Sequence, residues 1–271
     1  MKTPKLINVT LLAILSFLAG FTVNAQNLPN KQKSGLRAPV GIRIDGNATE
    51  WNNQFQAYNR ATGIFYSMAN DNDNLYLAVQ ATDQLIIRKI MNGGITLKID
   101  TGGKKNSGVA IIYPIFARND RPLINLKDKP TDATKLDSLI NVVNKRFAEK
   151  SKEIKIQGIK LIPDSLISIY NQDDIKVAAL FDHAAAYTYE LAIPLKYIGM
   201  QDAKASKFNY TIMLSGSPQI DGINIIPATR AHVAVMNIAV GAGAPSIPTK
   251  GEADILSNPT DFDGVFTLAV Q

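Results

Sequence analysis

The 271-residue sequence contains no cysteine, a single tryptophan and only two histidines. The absence of cysteine excludes disulfides, thiolate metal sites, covalently attached c-type haem and a lipid-modified cysteine anchor. The fold must therefore be held together by packing alone. The chain is long enough for one all-β domain with a substantial core.

Long apolar runs are scarce, and the most pronounced one lies at the N-terminus. Lys2 and Lys5 precede an apolar stretch over residues 11–21, and the small residues Val23 and Ala25 precede Gln26. This layout is typical of a cleavable secretory signal, whereas the run is short for a membrane span. We predict a signal peptide over residues 1–25, a periplasmic or secreted protein, and no transmembrane segment in the mature chain.

Charge of one sign forms no dense stripe in the sequence, although much of the positive excess comes from residues 104–105, 118–129 and 145–160. The formal net charge is +6, and removing the signal peptide with its two lysines leaves about +4. The basic residues are interleaved with acids, which is typical of a solvated surface, whereas nucleic-acid binders carry a denser basic stripe. We therefore predict no nucleic-acid partner.

Alternation of apolar and polar residues dominates the chain after a polar stretch, residues 26–39, that resembles a linker. The ordered domain is predicted over residues 40–271. Turn-forming residues separate the alternating segments, as in "NDNDN" at residues 70–74. The predicted strands lie at residues 63–69, 75–83, 94–100, 109–117, 153–162, 174–182, 186–195, 207–216, 223–228, 231–240 and 264–270.

One segment has helical spacing instead. Leu136, Leu139, Ile140, Val143 and Phe147 recur on one face, which predicts an amphipathic helix from about Asp132 to Lys150. We expect it to lie across a sheet or a barrel mouth; a membrane-surface helix is the alternative. Residues 241–261, rich in Gly and Pro, are predicted to be a loop. The predicted fold class is all-β, a β-sandwich with one inserted helix near residues 130–150.

Four pieces of sequence, in order, resemble the carbohydrate-binding module family 9-like domains, which are immunoglobulin-like β-sandwiches related to DOMON domains. The pieces are "IDGNATEW" (residues 44–51), "NDNLYLAVQATD" (72–83), "ITLKIDTGGKKNSG" (95–108) and "YTYELAIPLKYIG" (187–199), and "TDFDGVFTLAV" (260–270) is similar to the family's last strand. The resemblance covers about residues 40–271 and leaves the helix as an insertion. It implies that Trp51 is structural.

The resemblance also implies glycan recognition, because members of the family clamp a sugar end between two aromatic side chains. This sequence has no aromatic residue between Thr211 and Asp261, where the second clamp residue is expected. By position, Arg118 and Asn119 are the candidates for hydrogen bonds to sugar hydroxyls. Three tyrosines are candidates for stacking on a sugar, with packing in the core or on a sheet as the alternative: Tyr66, Tyr76 and Tyr113.

No catalytic motif is present, and we predict that the protein is not an enzyme. Glu190 lies in "YELAIP" and is predicted to be a structural acid satisfied by backbone groups or a basic partner. A glycosidase would need two carboxylates across a cleft. No sequence motif indicates such a pair.

No cofactor is predicted, and two alternatives stay open. Structural calcium is one, because Asp71, Asp73 and Asp100 offer oxygen ligands on turns, although turn formation alone also explains them. The other is b-type haem held by histidine and methionine, as in some DOMON relatives, with His183 and His232 as the available histidines.

We therefore expect an exported, non-catalytic carbohydrate-binding protein whose partner is a polysaccharide or oligosaccharide. The alternative from another functional class is a structural or protein-interaction sandwich that has lost sugar binding. That alternative implies a protein partner in the cell envelope.

Overall fold

The computed structural model describes residues 28–100, 102, 108–116, 126, 129–200, 206–217, 219–220, 223–224 and 248–270. Two antiparallel sheets pack face to face as a β-sandwich. Sheet A has the strand order β1-β2-β3-β9-β8, and sheet B has the order β13-β10-β4-β5-β6-β7. A short hairpin, β11-β12, stands apart from both.

The strands coincide closely with the alternating segments of the sequence, so most of the strand predictions are confirmed. Their bounds are Ala57–Asn59 (β1), Ile64–Asn70 (β2), Asn74–Ala81 (β3), Ile95–Asp100 (β4), Val109–Tyr113 (β5), Glu153–Gln157 (β6), Leu166–Ser168 (β7), Lys176–Phe181 (β8), Tyr187–Pro194 (β9), Lys207–Leu214 (β10), Gln219–Ile220 (β11), Ile223–Asn224 (β12) and Thr260–Thr267 (β13). The predicted strand at 231–240 and the predicted signal peptide lie outside the described residues.

The core lies between the two sheets and is rich in aromatic rings. Tyr66 of sheet A and Tyr210 of sheet B meet through their hydroxyl groups at 3.0 Å. Tyr113 of sheet B stacks on Tyr189 of sheet A with ring centroids 5.9 Å apart. Because each pair joins one sheet to the other, the aromatic residues fix the spacing of the layers.

The described part of the chain contains three α-helices where the sequence predicted one. Their bounds are Gln84–Gly93 (α1), Ala133–Lys150 (α2) and Lys250–Ser257 (α3). Helix α2 confirms the predicted helix, and the side chain of Asp132 caps its N-terminus. The prediction of a loop over residues 241–261 is wrong at α3, where Thr249 and Glu252 form a capping box. None of these helices is both long and apolar enough to cross a membrane.

The predicted linker is wrong over its described part, because residues 28–39 complete the edge of sheet A. The Gln32 side-chain amide accepts a hydrogen bond from the Met68 backbone N–H at 2.7 Å and donates one to the Met68 carbonyl at 2.8 Å. Leu36 and Ala38 then pair through their backbones with Asn70. An amide side chain thus replaces a neighbouring strand where β1 ends.

Helix α2 closes the opposite edge of sheet A in the same way. The Asn144 amide donates to the Phe181 carbonyl at 2.9 Å and accepts from the Phe181 N–H at 2.8 Å. Beneath it, Phe147 is fully buried against Tyr113, Phe181 and Tyr187. The helix therefore covers an open side of the sandwich, as predicted, and blocks backbone pairing at an edge strand.

Replacing Asn144 with alanine should open this edge. We expect the free energy of unfolding to fall by about 1–2 kcal/mol, because two hydrogen bonds to partly buried backbone groups are lost. Asn141→Ala, on the exposed face of the same helix, is the matched control because both changes have the same effect on helix propensity. Equal urea midpoints for the two variants would contradict the role given to Asn144.

Candidate functional site

The segment "RIDGNATEW", residues 43–51, forms two tight turns on the outer face of sheet A. The Asp45 carboxylate accepts a hydrogen bond from the Asn47 N–H at 2.9 Å. Gly46 has a φ of +86°, and a Cβ there would lie 2.8 Å from the backbone of Ala179. Only glycine fits this position, because both the left-handed backbone and the contact with β8 exclude a side chain.

Trp51 is held by Glu190, the acid of the "YELAIP" segment. The Trp51 indole N–H donates to Glu190 Oε1 at 2.9 Å. Glu190 Oε2 accepts from the backbone N–H groups of Asp45 at 3.1 Å and Gly46 at 3.0 Å. The prediction that Glu190 is satisfied by backbone groups is confirmed, and the indole is the donor that the sequence did not reveal.

The outer face of sheet A is made of small residues where Trp51 packs. Ala69, Ala78 and Ala192 form one buried cluster with Trp51, Ala48 and Phe55. Alanines leave room for an indole ring to lie against a sheet. Trp51 is 6 % exposed, so it is a structural residue, as the resemblance implied, and not a surface platform for a sugar.

Glu190 is fully buried, and its charge is therefore costly. Burial raises the pKa of Glu190 to about 7, while the hydrogen bonds from Trp51 and from the two backbone amides oppose the shift. Nearby, Arg43 donates to Glu50 at 2.9 Å, which lowers the pKa of Glu50. Glu190 and Glu50 thus have pKa values shifted in opposite directions, because Glu190 is buried without a cation and Glu50 is paired with Arg43.

A cleft of about 830 Å³ opens beside the anchored segment. At its base, Tyr76 of β3 pairs with Ala192 of β9, and both are largely buried. Lys176 of β8, which pairs with Ala192, continues this row to the rim. Ile42 and Ile44, just before the Glu190 contacts, form one wall. The rim is polar and charged, with Arg43, Asn72, Asp73, Asn74, Asp174 and Lys196.

Of the three candidate stacking tyrosines, only Tyr76 lines this cleft. Tyr66 and Tyr113 are 0 % and 3 % exposed, and both point into the core between the sheets, so the proposal that they stack on a ligand is corrected. Tyr76 is largely buried and donates from its hydroxyl to Asp71 at 2.6 Å. Arg118 and Asn119 lie outside the described residues, and their predicted role stays a prediction.

The turn acids use their oxygens within the chain. Asp71 Oδ1 accepts from the N–H groups of Asp73 and Asn74, and Asp100 Oδ1 accepts from Gly102. These are the Asx-turn bonds that the sequence suggested as the alternative to calcium. Across the described residues, no three His, Asp or Glu side chains gather as a metal site.

His183 lies on an exposed turn, where its Nδ1 pairs with Asp137 of α2 at 2.7 Å. That hydrogen bond raises the pKa of His183. An exposed imidazole paired with a carboxylate is not placed like a haem ligand, which lies in an apolar pocket. His232 lies outside the described residues.

Comparison with protein-family models, with curated proteins and with solved structures finds no match to this chain. The geometry of the site therefore carries the functional argument. Sequence reasoning did not identify Arg43, Asp174 and Lys176, and it considered Asp73 only as a turn residue or a calcium ligand. A sheet register would have been needed to place Lys176 in line with Tyr76, although the clustering of Asn and Asp at 70–74 was visible.

Glu190→Gln should change how stability depends on pH. The folded-state pKa of about 7 lies above the ordinary value of 4.5, so the folded protein retains a proton that the unfolded chain loses between these values. The contribution of Glu190 is therefore fully present below pH 4.5 and is lost as the pH rises through about 7.

We expect the wild type to lose stability relative to Glu190→Gln between pH 4.5 and pH 8, measured by urea unfolding at several pH values. The pKa of Glu50 is lowered in the wild type, so the comparison with Glu50→Gln should show the opposite sign at lower pH: the wild type should lose stability relative to Glu50→Gln as the pH falls below about 4.5. Parallel pH profiles for the wild type and Glu190→Gln would contradict the raised pKa.

Proposed function

We propose that the protein is an exported, non-catalytic glycan-binding module of the family 9-like, immunoglobulin-like type, and that it binds in the cleft beside Tyr76. The observation that carries this proposal is the composition of the cleft, whose polar and charged rim surrounds the largely buried Tyr76 and Ala192 and the wall formed by Ile42 and Ile44. A pyranose ring has the matching chemistry, with apolar C–H faces and hydroxyls at its edge.

The rim supplies both types of hydrogen-bonding group that sugar hydroxyls require. Asn72 and Asn74 each carry an amide donor and acceptor, Asp73 and Asp174 accept, and Lys176 donates. These side chains come from the β2–β3 turn and from the start of β8, on opposite sides of the Tyr76–Ala192 row. A bound sugar would therefore be contacted from two sides.

The environment of the two cleft carboxylates supports binding rather than hydrolysis. Asp73 and Asp174 are both exposed, and Asp174 lies 3.9 Å from Lys176. A glycosidase needs one carboxyl group kept protonated near neutral pH, commonly by an apolar pocket. Solvated carboxylates serve as hydrogen-bond acceptors instead.

Replacing cleft side chains should weaken glycan binding without unfolding the protein. We expect Asp73→Asn and Lys176→Gln each to lower the affinity about fivefold or more, since each removes one charged hydrogen-bonding group. Lys155→Gln, exposed on β6 of the opposite sheet, is the control and should bind like the wild type. A glycan array followed by affinity electrophoresis of the mature protein measures these effects.

Two results would contradict the proposal. One is an absence of retardation by every plant, microbial and host polysaccharide tested. The other is retardation that Asp73→Asn and Lys176→Gln leave unchanged. In the first case, the structural or protein-interaction sandwich becomes the better account, because the two core tyrosines already remove most of the aromatic platform expected for a sugar.

A further inference from the structure

A second hollow, of about 340 Å³, lies next to the cleft at the end of the sandwich. Its floor consists of branched aliphatic side chains from both layers, with Ile99 and Val109 from sheet B and Ile198 from the 3-10 helix that follows β9. Tyr197 and Leu161 form its sides. Leu161, which is 73 % exposed, adds apolar surface at the side of the hollow.

Lys196 connects the two hollows, because its side chain lines both. Its ammonium group lies 4.9 Å from the centroid of the Tyr197 ring, so the aromatic ring holds the cation beside the second hollow. The Tyr197 hydroxyl in turn donates to Asp173 at 3.4 Å, which orients the ring. One ligand can therefore contact both hollows across a single lysine.

The two hollows differ in the charge of their described lining. The cleft is lined by two acids, Asp73 and Asp174, as well as by cations. One of those cations, Arg43, is paired with Glu50 at 2.9 Å. The second hollow is lined by two lysines, Lys160 and Lys196, and by no acid. Two ammonium groups above an apolar floor favour an anionic group attached to a ring or chain with an apolar face.

We propose that the second hollow is a subsite for an anionic sugar residue, carrying a carboxylate or a sulfate ester, next to the residue held in the cleft. This inference rests on the proposed glycan-binding function and names its ligand class. Lys160 and Lys196 pair with the anionic group, and the aliphatic floor and Tyr197 contact the C–H face of the ring. The polar side chains of the cleft form hydrogen bonds with the hydroxyls of the neighbouring sugar residue.

The test compares three tetrasaccharides by isothermal titration calorimetry: tetragalacturonate, a sulfated tetrasaccharide and neutral cellotetraose. We expect at least one anionic probe to bind about tenfold more tightly than the neutral one, and its affinity to fall as salt is raised. Lys160→Gln should lower the affinity for the anionic probe about fivefold and change the affinity for the neutral probe by less than about twofold. Lys207→Gln, exposed on β10, is the control.

The carboxylate and sulfate probes identify which anion the subsite prefers. The inference is overturned if neutral and anionic probes bind equally well, or if Lys160→Gln behaves like Lys207→Gln. It is also overturned if decanoate, an aliphatic carboxylate without a sugar, binds the hollow and the anionic glycans do not. If neutral glycans still bind and depend on Asp73, only the subsite fails; if no glycan binds, the proposed function fails with it.

Discussion

The structure depends on one buried carboxylate. Glu190 lies in the middle of β9, has no contact with solvent, and accepts three hydrogen bonds from the 43–51 segment. Without those donors, an ionised carboxylate on a covered sheet would be strongly destabilising. Without the carboxylate, the indole and two backbone amides would be buried with no acceptor. Each half of the contact therefore makes the other half necessary.

This contact also determines where the cleft lies. The 43–51 segment packs on the outer face of sheet A, where Tyr76 and Ala192 are buried with Trp51, and the cleft lies along the margin of this contact, beside Lys176. Ile42 and Ile44 become a wall because Asp45 and Gly46 are fixed to Glu190 immediately after them. The proposed ligand site thus lies at the edge of the covered part of the sheet, and the position of Trp51 determines where that edge is.

Much of the fold could be predicted from the sequence, because alternation records which face of a strand is buried. Alternation was least informative for β9, because all of its residues from Tyr187 to Pro194 are buried. The resemblance, rather than alternation, drew attention to Glu190. Two helices were missed although their caps were visible, Asp83 before α1 and Thr249 with Glu252 before α3. Local capping patterns are easy to overlook between strands or within a Gly- and Pro-rich stretch.

The candidate site was harder to predict than the fold. Alternation places Tyr66 and Tyr113 on a face, but it does not say whether that face meets water or the other sheet. The register that aligns Tyr76 with Lys176 joins residues that are 100 positions apart in the sequence, and no local pattern encodes it. The completion of the sheet edge by Gln32 is equally non-local, which is why residues 26–39 resembled a linker.

A double-mutant cycle of Trp51→Phe and Glu190→Gln tests the central contact most directly. In Glu190→Gln, the amide NH₂ must face either the Trp51 indole N–H or the two backbone N–H groups, so donors oppose each other. Trp51→Phe removes the indole donor and relieves that conflict. We predict that at pH 8, where Glu190 is ionised, Trp51→Phe costs about 1–2 kcal/mol less in the Glu190→Gln background than in the wild type. Additive effects of the two substitutions on the free energy of unfolding would contradict the account.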